Sequence, residues 1–510
     1  MSDSKITNSE VRVTAKLPFY NQEFSLPVEM TLYDHQFDVV ASGYGSIHAS
    51  LPPGVYKLEV STGTEQQSKF YSLTPDKNIV DEIQIEQFPA AAPVEGTSTT
   101  HEYHGYTVEK LSLQPQDVVG AGGRLLLFFR QIGNDRTAPL IDGFSLLDKN
   151  QQPVFDLNNK AQRNNGEGWT ALSVDVEPGA YILRHSQYQP STWSNFELTS
   201  TNMVIDQSLW VSENWTTIVF IPKFASATYP SLQKSSIHMT RIGTGFQYNY
   251  DDERIALNLE LILNNLRIGK SLIHRDLDKL LRAKFENPIL GIIGLHAMFL
   301  EQEMRQDLFD KVMFNLRQLV PDHPDVHALD VRRKIRLDDP ENTDFSCEFP
   351  PMLIAGYKAL IRRDATEPSL ITDGSIADRV AASIYHEGPW TIWQALDSTL
   401  GKELNENLKR KINNIRTKIK SPINIADQSL ALLWNSIEQP EAMATEIQPN
   451  EVLNVTQYLS DFTEFAAENP TYLEAQQPLT LQTLSHNVGL PVSSVRRSIQ
   501  QIVTYDIENS

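Results

Sequence analysis

The sequence predicts a multidomain chain of mixed α and β structure: two tandem antiparallel β-sandwiches, an irregular α-helical domain and a C-terminal helix-turn-helix-like unit. Three observations carry that expectation. Pro53-Gly54-Val55-Tyr56-Lys57-Leu58 returns as Pro178-Gly179-Ala180-Tyr181-Ile182-Leu183, which marks a repeated module. After Asp252 the apolar residues change their period from two to about three and a half. Near the C-terminus Gly489 separates two short apolar stripes, as the turn between two crossed helices requires.

The repeated phrase has a physical reading. Pro sets one backbone dihedral and Gly supplies the positive one, so the pair turns the chain; Tyr and Leu two apart then face one side of the strand that leaves the turn. The first module, 1–88, alternates at Val11, Val13 and Ala15, and continues in Val28-Leu32, Phe37-Ala41, Val55-Val60, Phe70-Leu73 and Ile79-Ile85. Gly43, Gly45, Pro52-Pro53-Gly54, Gly63 and Pro75-Asp76 punctuate these segments, the spacing of an all-β domain. Residues 89–104, rich in Pro, Ala and Thr, read as a linker.

The second module spans 105–222. Leu125-Phe129 reads as a strand buried on both faces, and Phe144-Leu147 with Val154-Phe155 flanks the turn Asp148-Lys149-Asn150 as a hairpin. Trp169-Val176, the second Pro-Gly phrase, Met203-Ile205 and Thr216-Ile221 complete it. A connector, 223–253, leads to the helical domain, 254–475. There Ile255, Leu259, Leu263 and Leu266 form one stripe, and Asn287-Pro288 starts the buried helix Ile289-Leu300. Further helices are expected at Leu308-Val320, Met352-Arg362, Ile376-Tyr385, Trp390-Leu400, Glu403-Lys418, Ala426-Ile437 and Glu451-Glu468. No register recurs at the period of a helical repeat.

A net charge of -20 disfavours a general affinity for nucleic acid or anionic lipid, and acidic residues outnumber basic ones in both halves. The polar start Met1-Ser2-Asp3-Ser4-Lys5 lacks the apolar core of a secretion signal. A lone cysteine, Cys347, rules out intramolecular disulfides, and no apolar run approaches the roughly 20 residues a bilayer needs. The expected compartment is the cytoplasm, without membrane contact.

In the terminal unit, 476–510, Leu481, Leu484, Leu490, Val495 and Ile499 are spaced to pack two helices across each other. The second helix would then present Ser493, Ser494, Arg496, Arg497 and Gln500 outward, residues able to touch phosphates and base edges. Two arginines supply few phosphate contacts, so a protein-contact winged helix is the leading use and DNA binding the alternative. A basic stripe, Lys409, Arg410, Lys411, Arg416 and Lys418, backs the apolar residues Leu404, Leu408, Ile412, Ile415 and Ile419. It reads as a docking face for an acidic partner or nucleic acid, or as a solvated helix face.

Catalytic sets are missing. His101 and His104 are three apart beside the linker, where zinc-protease histidines lie four apart on a helix. His323 and His327 have that separation, but Pro321 and Pro324 interrupt the segment, and Asp325 reads as a helix cap. Cys347 has no adjacent His or basic residue to lower its pKa. Gly120-Ala121-Gly122-Gly123 precedes a strand, where a phosphate loop precedes a helix. No cofactor, metal or catalytic residue is therefore expected, and a hydrolase site in the helical domain survives only as an alternative without named residues.

Several phrases of the helical region occur in a fixed order: Asn287-Pro288-Ile289-Leu290-Gly291-Ile292, His323-Pro324-Asp325-Val326-His327-Ala328-Leu329, Pro350-Pro351-Met352-Leu353 and Gly388-Pro389-Trp390. Over 236–393 this order resembles a group of uncharacterised bacterial multidomain proteins often encoded near caspase-like peptidases. The resemblance implies gene neighbourhood alone and carries over no catalytic residue. The Pro-Gly-x-Tyr-x-Leu phrase is similar to that of prealbumin-like and collagen-adhesin-type sandwiches, which implies fold and not function. Together these readings lead to a non-enzymatic cytosolic adaptor that binds protein partners, a caspase-like peptidase being the expected one, as regulator or substrate. A transcription regulator acting through the terminal unit is the alternative.

Overall fold

The computed structural model describes residues 8–395, apart from 17–27, 134–139, 189–201, 248–254, 268–280 and several stretches of one to four residues, together with 491–494. Its first seven strands are β1 (Ser9–Lys16), β2 (Glu29–Tyr33), β3 (Val39–Tyr44), β4 (Ser46–Leu51), β5 (Gly54–Thr62), β6 (Glu65–Leu73) and β7 (Ile79–Gln84). They form two sheets, ordered β4-β1-β7 and β3-β2-β5-β6. Alternation decides which side of each strand is buried: Val11 and Val13 from one sheet meet Met30, Leu32, Leu58 and Val60 from the other.

Eleven more strands follow: β8 (Asp117–Val118), β9 (Gly123–Ile132), β10 (Phe144–Asp148), β11 (Pro153–Phe155), β12 (Gln162–Asn164), β13 (Trp169–Val176), β14 (Gly179–Tyr188), β15 (Asn202–Val211), β16 (Trp215–Phe224), β17 (Ser236–Arg241) and β18 (Ile392–Gln394). Their sheets run β11-β10-β14-β15-β18 and β12-β13-β9-β16-β17. Strand for strand, β11-β10-β14-β15 repeats β3-β2-β5-β6, and β13-β9-β16 repeats β4-β1-β7. Register repeats as well: Leu32 faces Leu58 as Leu146 faces Leu183. One sheet of each repeat is mixed and not purely antiparallel, because β1 pairs with β7, and β9 with β16, in parallel; the other sheet of each is antiparallel throughout.

Two local devices account for the repeat. Tyr56 donates its hydroxyl to the Pro52 carbonyl at 2.8 Å, and Tyr181 donates to the Glu177 carbonyl at 2.8 Å. Each tyrosine thus ties the strand back to the residue before the Pro-Gly turn, which explains why Tyr recurs in the phrase. Likewise Asp34 Oδ1 accepts from Gln36 N and Asp38 N, and Asp148 Oδ1 accepts from Asn150 N and Gln152 N. Both hairpin turns then carry a residue of positive φ, Phe37 at 65° and Gln151 at 61°.

The helices are α1 (Glu102–Leu113), α2 (Leu157–Lys160), α3 (Ile255–Arg267), α4 (Pro288–Met298), α5 (Gln306–Leu319), α6 (Pro324–Leu337), α7 (Ile354–Asp364) and α8 (Ile376–Val380). Every residue of α4 is buried, as its apolar run predicts. Gly291 allows that burial, since a Cβ there would stand 3.1 Å from the Leu316 side chain of α5. No helix among the described residues is long and apolar enough to cross a membrane.

Three expectations need correction. Residues 89–104 are not a free linker: Ala90, Ala91, Ala92, Val94, Thr97 and Thr99 are buried, and α1 begins at Glu102. Alanines build no core alone, but their small side chains let the backbone run between layers that other residues supply. The connector 223–253 contains β17, which extends the sheet beyond β16. Trp390-Leu400 is not helical at its start, because Ile392–Gln394 pairs with Ile205–Gln207 of β15. Ile392 enters the main core and Trp393 the cluster on the other side, so a strand buried on both faces imitated a helical stripe.

The buried 90–99 segment is held by charge. Arg130 of β9, fully buried, donates to the Ala91 carbonyl at 3.1 Å and to the Thr99 carbonyl. Glu260 of α3 accepts from Ala91 N at 2.9 Å and lies 3.0 Å from His238 Nε2 of β17. Burial lowers the Arg130 pKa to about 9, with Glu260 opposing the shift, so the guanidinium stays charged at neutral pH. Removing one member of such a pair strands the other in a low dielectric. Glu260→Gln should therefore destabilise the protein by about 3–5 kcal/mol in urea unfolding at pH 7, whereas Lys160→Ala, which breaks the exposed pair with Asp117, should leave the urea midpoint nearly unchanged.

Candidate functional site

A groove of about 1110 Å³ opens between the second strand repeat and the helical layer. One wall is the β10–β11 turn with Asp148 and Lys149, the turn Glu177-Pro178-Gly179, Tyr181 and Trp210; the other comes from Asp322, Phe345, Glu348, Phe349 and the segment Thr372–Ile376 with Arg379. The second copy of the repeated phrase therefore forms part of the wall.

Local geometry fixes each side. The Asp148 bonds close the hairpin tip, and the Tyr181 hydroxyl braces the Pro-Gly turn; burial, then Glu177 and Asp148, push its pKa up to about 12. Across the groove the Ser346 and Thr372 hydroxyls lie 2.6 Å apart, and Phe345 stacks on His327 with centroids 4.3 Å apart. Gly374, at φ +72°, donates its N–H to Asp378 Oδ2 at 2.8 Å, while Ser375 caps α8 by accepting from Asp378 N. Asp148, Glu177, Asp322, Glu348 and Asp373 contribute five carboxylates, against the two cations Lys149 and Arg379. A negative field beside the half-buried Trp210 and Phe345 suits a Lys- or Arg-bearing ligand.

The groups that resembled catalytic ones are structural. Cys347 is buried, its Sγ donates to the Phe349 carbonyl at 3.2 Å, and burial pushes its pKa well up, so the thiolate is not its form at neutral pH. His323, and not Asp325, caps α6: its Nδ1 accepts from Asp325 N at 3.3 Å. Asp325 sits inside the first turn and accepts from Met352 N and Leu353 N, both at 2.8 Å, joining α6 to the segment ahead of α7. Burial raises its pKa to about 7 against the pull of those N–H groups. Among the described residues no group of three or more His, Cys, Asp or Glu is placed to hold a metal ion.

Of the residues expected on a DNA-facing helix, Ser493 and Ser494 turn inward. Ser494 is buried and donates to Asp378 Oδ1 at 2.8 Å, Ser493 donates to the same oxygen at 2.7 Å, and Val492 N donates to Asp364 Oδ2 at 2.9 Å. Two buried carboxylates thus seat residues 491–494 on the helical region, which takes these serines out of any recognition surface. Arg496, Arg497 and Gln500 lie outside the described residues, as do Lys409, Arg410, Lys411, Arg416 and Lys418.

The chain matches no family model and no curated protein. Solved structures similar to parts of it include the Bacillus anthracis TIE protein, at 14% identity over 44% of this chain and 34% of that one, with a TM-score of 0.17. A candidate adhesin from Bacteroides ovatus is 9% identical over 41% of this chain and 81% of its own, TM-score 0.15. A streptococcal ancillary pilin is 14% identical over 45% and 62%, TM-score 0.15. The chain spans about a third of the length of the first of these. Overlap at this level assigns no function.

Two outcomes follow from these side chains. Burial, reinforced by His327, lowers the His323 pKa from 6.5 to about 3, so the folded state holds it neutral while the unfolded chain takes up a proton first. Its contribution to stability should be complete above about pH 6.5 and decline as the pH falls toward about 3. His323→Asn, which keeps a capping acceptor, should unfold in urea with a shallower loss over that window. Asp378→Ala should release the Ser493 hydroxyl and the Gly374 N–H together, while Ser494 keeps the Asp378 carbonyl and Val492 N keeps Asp364. Hydrogen exchange should then rise by tenfold or more at Gly374, with the strands unchanged.

Proposed function

We propose that the protein is a non-enzymatic scaffold, built on tandem sandwiches, that binds a protein partner through a cationic segment laid in the groove beside Pro178-Gly179. The observation that carries this reading is the lining itself: five carboxylates against two cations, interleaved with Tyr181, Trp210, Phe345 and Phe349. A peptide bearing Lys or Arg gains there from the summed field and from guanidinium–aromatic contact, and needs no chemistry from the protein. The burial of Cys347 and the structural roles of His323 and Asp325 support binding over catalysis. A caspase-like peptidase, the partner this reading expects, would engage as regulator or substrate through such a basic segment.

The test is a titration of the full chain with a fluorescent arginine-rich peptide, with a glutamate-rich peptide as control. Saturable binding of the first alone is expected, weakening with salt and falling at least tenfold in the double variant Glu177→Lys with Glu348→Lys. Equal binding of both peptides, or no effect of the double variant, would remove the reading.

A further inference from the structure

The internal repeat supplies a comparison that the molecule makes with itself. On the sheet β11-β10-β14-β15, the face turned away from the strand core carries Leu147 and Ile182, which lie side by side in register. Both are buried in a cluster with Ala328 and Val331 of α6 and with Tyr357 and Leu360 of α7. A helical layer therefore covers that face. In the first repeat the same two positions are Tyr33 and Lys57, paired in the same register. Around them Val39 is 59% exposed, Val55 54% and Phe70 66%, although Val39 pairs with Tyr33 and Phe70 with Lys57. The row Val39, Tyr33, Lys57 and Phe70 crosses all four strands of β3-β2-β5-β6, apolar or aromatic except at Lys57 and flanked by Val55, with no helical layer among the described residues above it.

A second observation is independent of the repeat. Phe37, at the turn that ends β2, has φ 65° and is 71% exposed. A bulky side chain is disfavoured in that backbone region and gains little from packing here, so folding alone does not account for an aromatic at this position. The turn lies at the end of the sheet where Val39, Val55 and Phe70 also lie, since Tyr33, just before it, pairs with Lys57 near the Gly54 start of β5 and Lys57 pairs with Phe70. Glu29, Asp34 and Asp38 stand on or beside this face, and Lys57 is already held by Glu59.

We propose that the outer face of β3-β2-β5-β6 docks an amphipathic helix of a partner protein, with an aliphatic stripe against Val39, Val55 and Phe70 and Lys or Arg on its flanks. The covered face of the second repeat shows the packing that suits this surface, and the bordering carboxylates set the charge of the flanks. This surface is separate from the groove and stands whether or not the groove reading does.

The probe is a synthetic heptad peptide with leucine at its two seam positions and lysine or glutamine elsewhere, alongside a scrambled peptide of equal composition, titrated into the full chain. Both peptides are titrated into the groove variant Glu177→Lys with Glu348→Lys, where lysine-bearing peptides lose their groove contacts; there the patterned peptide alone should bind saturably, at least tenfold more weakly once Phe70→Glu is added. Phe37→Gly should weaken binding while raising the melting temperature, a split that loss of folding cannot produce. Absence of saturable binding, or wild-type affinity in Phe70→Glu, would overturn the proposal. So would a wild-type dimer in sedimentation that Phe70→Glu converts to monomer without peptide binding, since a second copy would then be the occupant.

Discussion

Arg130 and Glu260 meet the same stretch of backbone from opposite sides, one taking the Ala91 carbonyl and the other the Ala91 amide. Because both charges are buried, neither is tolerable without the other, and the peptide between them satisfies hydrogen bonds that water would otherwise supply. Through this arrangement β9, β17, α3 and the passage between the two strand repeats become one interior. The first repeat cannot swing on a flexible tether, and the apolar residues flanking the clamp, such as Phe128, Phe220 and Leu257, fall into one cluster with Val13 and Leu58.

The second repeat is the structural centre of the described chain. One of its sheets turns Phe128 and Phe220 toward the first repeat, and the other turns Leu147 and Ile182 toward the helices. Both faces of this module are consumed by packing, so binding surfaces arise only where a seam leaves space or where a face is left uncovered. The groove is such a seam, and the outer face of the first repeat is such a remainder.

Much of this was legible in the residues. Strands with strict alternation, such as β1 with Val11, Val13 and Ala15, and the all-apolar β9 were readable, and so was the buried helix after Asn287-Pro288. Other features depended on distant partners. Ala90-Ala91-Ala92 looks like linker until Arg130 and Glu260 are brought to it, and Ile392-Trp393 looks helical until β15 supplies a ladder. The groove joins Asp148, Glu177, Glu348 and Asp373, which no local pattern connects; its one sequence signal was the repeated Pro-Gly phrase. For the uncovered face a signal did exist, since Val55 and Phe70 occupy the outward parity of strands whose neighbouring inward positions, Tyr56, Leu58 and Tyr71, are already apolar or aromatic.

The pairing of Ile392–Gln394 with Ile205–Gln207 has a consequence for how the chain is made. Until Gln394 leaves the ribosome, the open edge of β15 lacks its last partner, and at about 5–20 residues per second the wait from Val211 to Gln394 is roughly ten to forty seconds. A half-finished polypeptide would display an unpaired strand next to the uncovered Leu147 and Ile182 for that whole interval. Translation pauses within the helical segments would lengthen this exposure.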